Sequence, residues 1–269
     1  MVKRKELTRY LNDLLQLNQV TGDPSNNGLQ IEGNKDVNKI LFGVDTSVCL
    51  VEKAIETKSD FIFVHHGLSW GSSLKYITNY NARLIKPLFK NDISLYAAHL
   101  PLDAHPTIGH NAMLAEILQL KNKKMFAKYC ELDIGYTGLL PKPLSVCELS
   151  ELFNNKLSEV IDSYSDTQPP TASPEYCFIL DNNKIVKKVG IISGGSGLEG
   201  IIASFKEGVD CLITGEFHHQ TYHLAKENGL AIIAAGHYKT ETAGIFGVMD
   251  HIEKKFDVKT EFVNIPTGL

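Results

Sequence analysis

Several absences narrow the class of this 269-residue protein before any motif is considered. The five cysteines are scattered and form no CxxC pair, which favours a reduced chain in a reducing compartment. The net charge is only −4, so a general attraction to nucleic acid or to anionic membranes is not expected. No apolar run approaches the roughly 18 residues of a membrane span, and the basic N-terminus lacks the apolar core of a signal peptide. We therefore expect a cytoplasmic protein with neither membrane nor nucleic-acid partners.

The chain does contain a regular alternation of short apolar strands with helical stretches. Apolar strands are predicted at 40–44, 61–64, 95–98, 189–192, 211–214 and 231–235. Helices are predicted between most of them, at 50–57, 82–90, 113–120 and 200–206. This alternation is typical of an α/β architecture with a largely parallel sheet.

The two sets of elements resemble each other, which predicts an internal duplication. Segments 39–67 and 188–219 both run strand, turn, helix, aspartate, strand and polar tip, and Asp60 corresponds to Asp210. Two further pairs share a spacing of four residues: His99 with Asp103, and His237 with Glu241. We interpret the chain as two similar, interlinked α/β lobes. The first lobe with its N-terminal helix is predicted at 1–125, a variable connection at 126–187, and the second lobe at 188–269.

Histidines and carboxylates concentrate just past the predicted strands, where open α/β sheets bind ligands. Seven of the ten histidines lie there, which makes this clustering the strongest functional signal of the sequence. The residues in these positions are His65, His66, His99, Asp103, His105, Glu216, His218, His219, His237 and Glu241. Imidazole and carboxylate together suit Zn²⁺, Mn²⁺, Fe²⁺, Co²⁺ or Ni²⁺. Two metals about 3.5–4 Å apart, with a carboxylate between them, would fit this supply.

Six motifs give the chain a resemblance to a known family. They are NNGLQIEG at 26–33, GVDTS at 43–47, FVHHG at 63–67, LYAAHLPLDAHPTIGHN at 95–111, TGEFHH at 214–219 and GHYKTE at 236–241. In this combination and order, the sequence resembles the Nif-three-like family of dinuclear-metal proteins, many of which are described as homologues of a GTP cyclohydrolase type 2. The resemblance covers nearly the whole chain, and it implies the Nif-three-like fold of two similar lobes.

The resemblance also implies roles for particular residues. One metal would be held by His66 and Asp103, the other by His65 and His237, and Glu241 would bridge both. His99 and Glu216 would lie close by and are our candidates for catalytic proton transfer. Family resemblance further implies a toroidal homohexamer. The expected function is therefore metal-dependent hydrolysis of an unidentified small molecule, with the cyclohydrolase reaction as one possibility.

Two other functions fit parts of the sequence. The metals would be structural if the protein were a non-enzymatic, oligomeric binding or regulatory protein, although structural zinc sites are usually rich in cysteine. The stretch GSGLEG at 195–200 matches the dinucleotide-binding pattern, with Glu216 near the position of a ribose-binding acid. The corresponding turn of the first lobe, at 44–48, has no such glycines, which argues against an oxidoreductase.

Overall fold

The computed structural model describes residues 1–165 and 177–269. The strands are β1 Val2–Lys3, β2 Gly28–Ile31, β3 Asp36–Val37, β4 Lys39–Asp45, β5 Phe61–His66, β6 Ser94–Ala97, β7 Lys121–Tyr129, β8 Leu132–Leu144, β9 Phe178–Leu180, β10 Val186–Gly195, β11 Cys211–Glu216, β12 Ala231–Ala234 and β13 Lys259–Phe262. The helices are α1 Arg4–Leu14, α2 Val48–Glu56, α3 Asn79–Lys90, α4 Leu100–Asp103, α5 His110–Ile117, α6 Val146–Tyr164, α7 Gly197–Glu207, α8 Tyr222–Glu227, α9 His237–Thr240 and α10 Ala243–Lys255. None of the helices in these ranges is long and apolar enough to cross a membrane.

The described residues form two compact units. The first comprises 1–102, 164–165 and 245–265, and the second comprises 103–163, 177–244 and 266–269. These units are defined by compactness rather than by sequence similarity. The lobe boundaries at 125 and 188, which were drawn from similarity, therefore stay a prediction.

The first unit is built on a five-stranded mixed sheet in the order β13-β4-β5-β6-β2. Strands β13, β4, β5 and β6 are parallel, and β2 is antiparallel to β6. The stretches 40–44, 61–64 and 95–97 of β4 to β6 are apolar and buried, and Leu41, Ile62 and Leu95 pack with α2 and α3 in one core. Ser47 caps α2 by accepting a hydrogen bond from the Leu50 amide at 3.1 Å. The parallel strands end together, so residues following β4, β5 and β6 share one edge of the sheet.

The second unit contains a six-stranded mixed sheet in the order β7-β8-β10-β11-β12-β9. Only the central strands β10, β11 and β12 are parallel to one another. The outer strands are antiparallel to their neighbours, so the expectation of a largely parallel sheet is wrong for this unit. The parallel core itself is the one predicted from the apolar segments.

Asp60 and Asp210 make the same contacts within their own units. Asp60 Oδ2 accepts hydrogen bonds from the backbone amides at 38–39, at 2.7 and 3.1 Å. Asp210 Oδ2 accepts bonds from the amides at 187–188, at 2.9 and 2.8 Å. In both units the aspartate precedes the second parallel strand and fixes the beginning of the first.

The connection predicted at 126–187 is more regular than its composition indicated. It contains most of the β7–β8 hairpin, all of α6, and β9. The hairpin was missed because β7 is an edge strand whose first four residues are exposed, so its pattern is not apolar. Helix α6 buries Leu149, Phe153, Leu157 and Ile161, a spacing of four residues that the sequence does carry. Part of the Ser-, Thr- and Pro-rich stretch, at 166–176, lies outside the described residues.

Candidate metal centre

Three histidines of the first unit converge at the end of the parallel strands. His65 and His66 are the last two residues of β5, and His99 follows β6 by two residues. Their ring centroids are 4.4 Å apart for His65–His66, 5.0 Å for His65–His99 and 5.7 Å for His66–His99. One ring nitrogen from each lies within 4.8 Å of the others, which is close enough for one metal ion. We call these residues the three-histidine group.

Each histidine of this group has an oxygen acceptor on its Nδ1. The acceptors are Ala98 O at 2.9 Å from His65, Asp45 Oδ1 at 2.7 Å from His66, and Asp23 Oδ1 at 2.8 Å from His99. A carbonyl or carboxylate oxygen can only accept, so each Nδ1 carries the proton and each neutral ring has its lone pair on Nε2. Metal-binding histidines have this arrangement, because the outer partner fixes the tautomer and orients the ring.

The rim of the three-histidine group is formed by the turn after β5. A Cβ at Gly67 would lie 2.5 Å from the Ala97 Cβ, so the chain can turn here only with glycine. Trp70 Nε1 donates to Gly67 O at 2.7 Å, and the indole packs edge-on against His99 with centroids 4.9 Å apart. Trp70 therefore packs at the rim of the three-histidine group.

The second unit supplies a histidine held between two carboxylates. His237 begins α9, and its Nδ1 donates to Glu216 Oε1 at 2.7 Å. Its Nε2 lies 3.2 Å from Glu241 Oε1, so these two residues, four apart in sequence, lie side by side. Glu241 is only 3% exposed. Burial alone lowers the pKa of His237, but the adjacent Glu241 and Glu216 outweigh it and raise that pKa to about 9. Without a metal, the imidazole is therefore charged at neutral pH.

A glycine makes room for this pair. Gly194 has φ +60°, and a Cβ there would lie 2.1 Å from Glu241 Oε1 and 3.0 Å from His237 Nε2. Its amide donates to Thr240 Oγ1 at 3.0 Å, which anchors the end of β10 to α9. Gly194, near the end of β10, thus has a packing role beside the carboxylate.

Asp103 also lies in the second unit, at the end of α4. It is 7% exposed, and Ser193 Oγ donates to its Oδ1 at 3.4 Å. Asn111 ties the same region together, because its Oδ1 accepts from the Ser193 amide at 2.7 Å. The carboxylate is therefore held at the end of β10.

Other histidines have different environments. His105 Nδ1 accepts from the amides of Thr107 at 3.3 Å and Ile108 at 3.2 Å, and His110 Nδ1 accepts from the Gly244 amide at 3.0 Å. These two rings carry the opposite tautomer when neutral, which suits a role in loop and helix structure. His218 and His219, expected near the site from their position after β11, are exposed.

Sequence reasoning gave no role to the partners of these histidines. Asp45 belongs to the motif GVDTS, at the end of the strand before the one that carries His66. The register of two neighbouring parallel strands could have indicated that these residues lie opposite each other. Asp23 gave no such signal, because it lies in a loop outside the alternating strands and helices.

The donors present fit a borderline divalent metal. They are imidazole nitrogens with fixed tautomers and buried carboxylate oxygens, and no cysteine is among them. Fold and donors together define a mixed α/β protein with two mixed sheets and candidate metal-binding clusters of histidine and carboxylate side chains.

Comparison with known proteins identifies the family. The family described as Duf34/NIF3 (NGG1p interacting factor 3) matches residues 2–267, and the chain belongs to it. A Pyrococcus horikoshii protein named GTP cyclohydrolase 1 type 2 homolog is 39% identical over 267 residues, 99% of each chain. Among solved structures, the protein ybgI, of unknown function, matches at 32% identity with a TM-score of 0.85, covering 100% of both chains. TTHA1606 from Thermus thermophilus matches at 34% identity with a TM-score of 0.80, again over 100% of both. The family resemblance read from the motifs is thereby confirmed.

Proposed function

We propose that this protein holds two divalent metal ions and hydrolyses a small-molecule substrate. The observation that carries the proposal is the convergence of three histidines whose Nδ1 atoms are all bound to oxygen acceptors. The acceptors fix the orientation of each ring at a cost in conformational freedom, and they place the lone pair of each neutral ring on Nε2. Zn, Fe, Mn, Ni and Co all suit such donors, so the metal is left open among them.

The proposed ligands are those that the family motifs imply: His66 and Asp103 for one metal, His65 and His237 for the other, and Glu241 as the bridge. When bound, the metals would supply Lewis acidity and lower the pKa of water at the site. The chain's part is to hold the ligands, and the burial of His65 and Glu241 supports this role by limiting competition from bulk water.

His99 and Glu216 remain our candidates for proton transfer. Asp23 keeps the His99 lone pair on Nε2, within the three-histidine group, where it can take a proton from a nucleophile. Glu216 uses Oε1 to hold His237, and its partly exposed side chain can exchange protons with solvent through Oε2.

The substrate class follows from the donors rather than from the relative's name. Sites of this kind mostly hydrolyse esters, amides or ring C–N bonds, and the GTP cyclohydrolase name would require hydrolytic opening of a guanine ring.

We would assay metal-loaded and metal-stripped protein against GTP and against phosphoester, ester and amide panels, with His99→Gln as the catalytic variant. Turnover that requires metal and falls in His99→Gln supports the proposal. Full metal content without turnover of any compound would favour the non-enzymatic binding or regulatory alternative.

Two structural expectations belong with this function. We infer that the two lobes arose by duplication, and the matching contacts of Asp60 and Asp210 support this inference.

We also propose that six copies assemble into a homohexamer, as the family resemblance implies. Sedimentation velocity tests the hexamer, because a species of one or two chains would contradict it.

A further inference from the structure

The segment at 23–30, DPSNNGLQ, has no part in the metal ligation proposed above. It includes the beginning of the motif NNGLQIEG, to which sequence reasoning gave no role. Its side chains make hydrogen bonds at both strand ends that carry the three-histidine group. We call it the positioning segment.

Asp23 is the most completely bonded side chain of the positioning segment. Its Oδ1 accepts from His99 Nδ1 at 2.8 Å and from the Ser25 amide at 2.9 Å. Its Oδ2 accepts from Asn27 Nδ2 at 2.7 Å and from the Leu100 amide at 3.0 Å. The Asp23 side chain is only 3% exposed. Four donors fix both oxygens, so the carboxylate can rotate only by breaking several bonds at once.

Asn27 holds the same histidine from its backbone. Its Oδ1 accepts from the His99 amide at 2.7 Å while its Nδ2 donates to Asp23. The contact with the His99 amide needs the Asn27 oxygen and the contact with Asp23 needs the Asn27 NH₂ group, so both fix the same orientation of the side-chain amide. His99 is therefore held at the main chain and at the ring by two residues that also hold each other.

The rest of the positioning segment holds the turn that follows His66. Gln30 Oε1 accepts from the amides of Leu68 at 2.8 Å and Ser69 at 3.1 Å. The Asn26 amide donates to Ser69 O at 3.0 Å, and Asn26 Nδ2 donates to Ser69 Oγ at 2.7 Å. One short segment thus connects the residues that follow β5 with those that follow β6.

We propose that Asp23 and Asn27 are positioning residues that keep His99 in the Nδ1–H tautomer and set the direction of its Nε2 within the three-histidine group. The inference rests on the proposed function for its consequence, proton transfer by His99, but the tautomer itself is a property of the metal-free protein. In Asp23→Asn the side chain presents one NH₂ group where all four neighbours are donors. Among these four donors only the imidazole can become an acceptor without losing another bond, so His99 is expected to move its proton to Nε2 and accept on Nδ1, which removes the Nε2 lone pair needed for proton transfer.

The test is nitrogen-15 NMR of the histidine rings in metal-free protein, with the His99 signals assigned by their loss in His99→Gln. The wild type must show His99 protonated on Nδ1, and Asp23→Asn must shift the population towards the Nε2–H form. The control is Asp60→Asn, because Asp60 also accepts bonds in the first unit but from the backbone amides at 38–39. This control must leave the His99 tautomer unchanged.

Zn²⁺ affinity provides the second readout, measured by competition with a chromophoric chelator. Because His99 is a candidate for proton transfer and not one of the proposed ligands, we expect Asp23→Asn to bind Zn²⁺ as tightly as Asp60→Asn does, so that a shifted tautomer reports the positioning of His99 and not a loss of the ligands. Wild-type His99 protonated on Nε2 would overturn the proposal even if no variant folds. An unchanged tautomer in a folded Asp23→Asn would also overturn it. A shifted tautomer in a protein that never binds metal would support the positioning role and reject the proposed function instead.

Discussion

Asp45 and His66 lie opposite each other in the register of β4 and β5, and Asp45 Oδ1 accepts a 2.7 Å hydrogen bond from His66 Nδ1. The parallel pairing of two strand ends therefore places a carboxylate directly beside a histidine. No loop has to fold to create this contact. Sheet register alone builds one of the outer partners of the three-histidine group.

Replacing Asp45 by Asn should weaken metal binding without unfolding the protein. The amide no longer imposes the Nδ1–H tautomer on His66, and the loss of such a partner typically costs about 10–100-fold in affinity. Chelator competition with Zn²⁺ measures the change. Asp36→Asn is the control, since Asp36 is a partly exposed residue paired with Lys3. Equal affinities for the two variants would contradict the role of Asp45.

Gly194→Ala should destabilise the protein and disturb Glu241. A left-handed backbone costs a residue with a side chain about 1–3 kcal/mol, and the new Cβ would lie 2.1 Å from Glu241 Oε1. Thermal unfolding and metal affinity should both decline. Gly195→Ala is a close control, because a Cβ at Gly195 meets no atom of the described structure within 4 Å. If both variants have the same melting temperature, Gly194 is not the constraint we infer.

Metal-free protein should lose the stabilisation from His237 as the pH rises. The folded pKa of about 9 exceeds the ordinary value of 6.5, so the charged ring stabilises the fold. This contribution is complete below pH 6.5 and disappears as the pH passes through 9. We expect the difference in melting temperature between wild type and His237→Gln, measured with a chelator present, to be largest near pH 6 and smallest near pH 10. A difference that grows towards pH 10 would contradict the assigned shift.

Much of the fold follows from local patterns in the sequence. The apolar runs that became β4, β5 and β6 were recognisable because strands buried on both faces are apolar throughout. The edge strand β7 was not, since its lysines are exposed and its pairing with β8 depends on the rest of the sheet. Helix α6 had a readable period, but its surrounding composition indicated a loop.

The candidate site was predictable to a similar extent. His65 and His66 stand out because two histidines end a buried strand, and their convergence follows from the parallel sheet. Asp23 could not be found in this way, because its contact with His99 depends on how a loop folds across the ends of β5 and β6. The sequence therefore predicts which side chains lie close together only where strands and helices of regular geometry bring them together.

The measurement that tests the central claim most directly is metal content per chain in a pair of double variants. Elemental analysis compares three proteins: the wild type, the double variant His65→Ala with His66→Ala, and the double variant His218→Ala with His219→Ala. Each is first incubated with Zn²⁺, Mn²⁺, Fe²⁺, Co²⁺ or Ni²⁺ and then freed of excess metal. The second pair is matched, because it is also two adjacent histidines just past a strand, but both are exposed. We predict about two metal ions per chain in wild type and in the 218/219 pair, and loss of metal in the 65/66 pair. A wild type that stays empty with every metal, or a 65/66 pair that keeps both ions, would contradict the dinuclear centre.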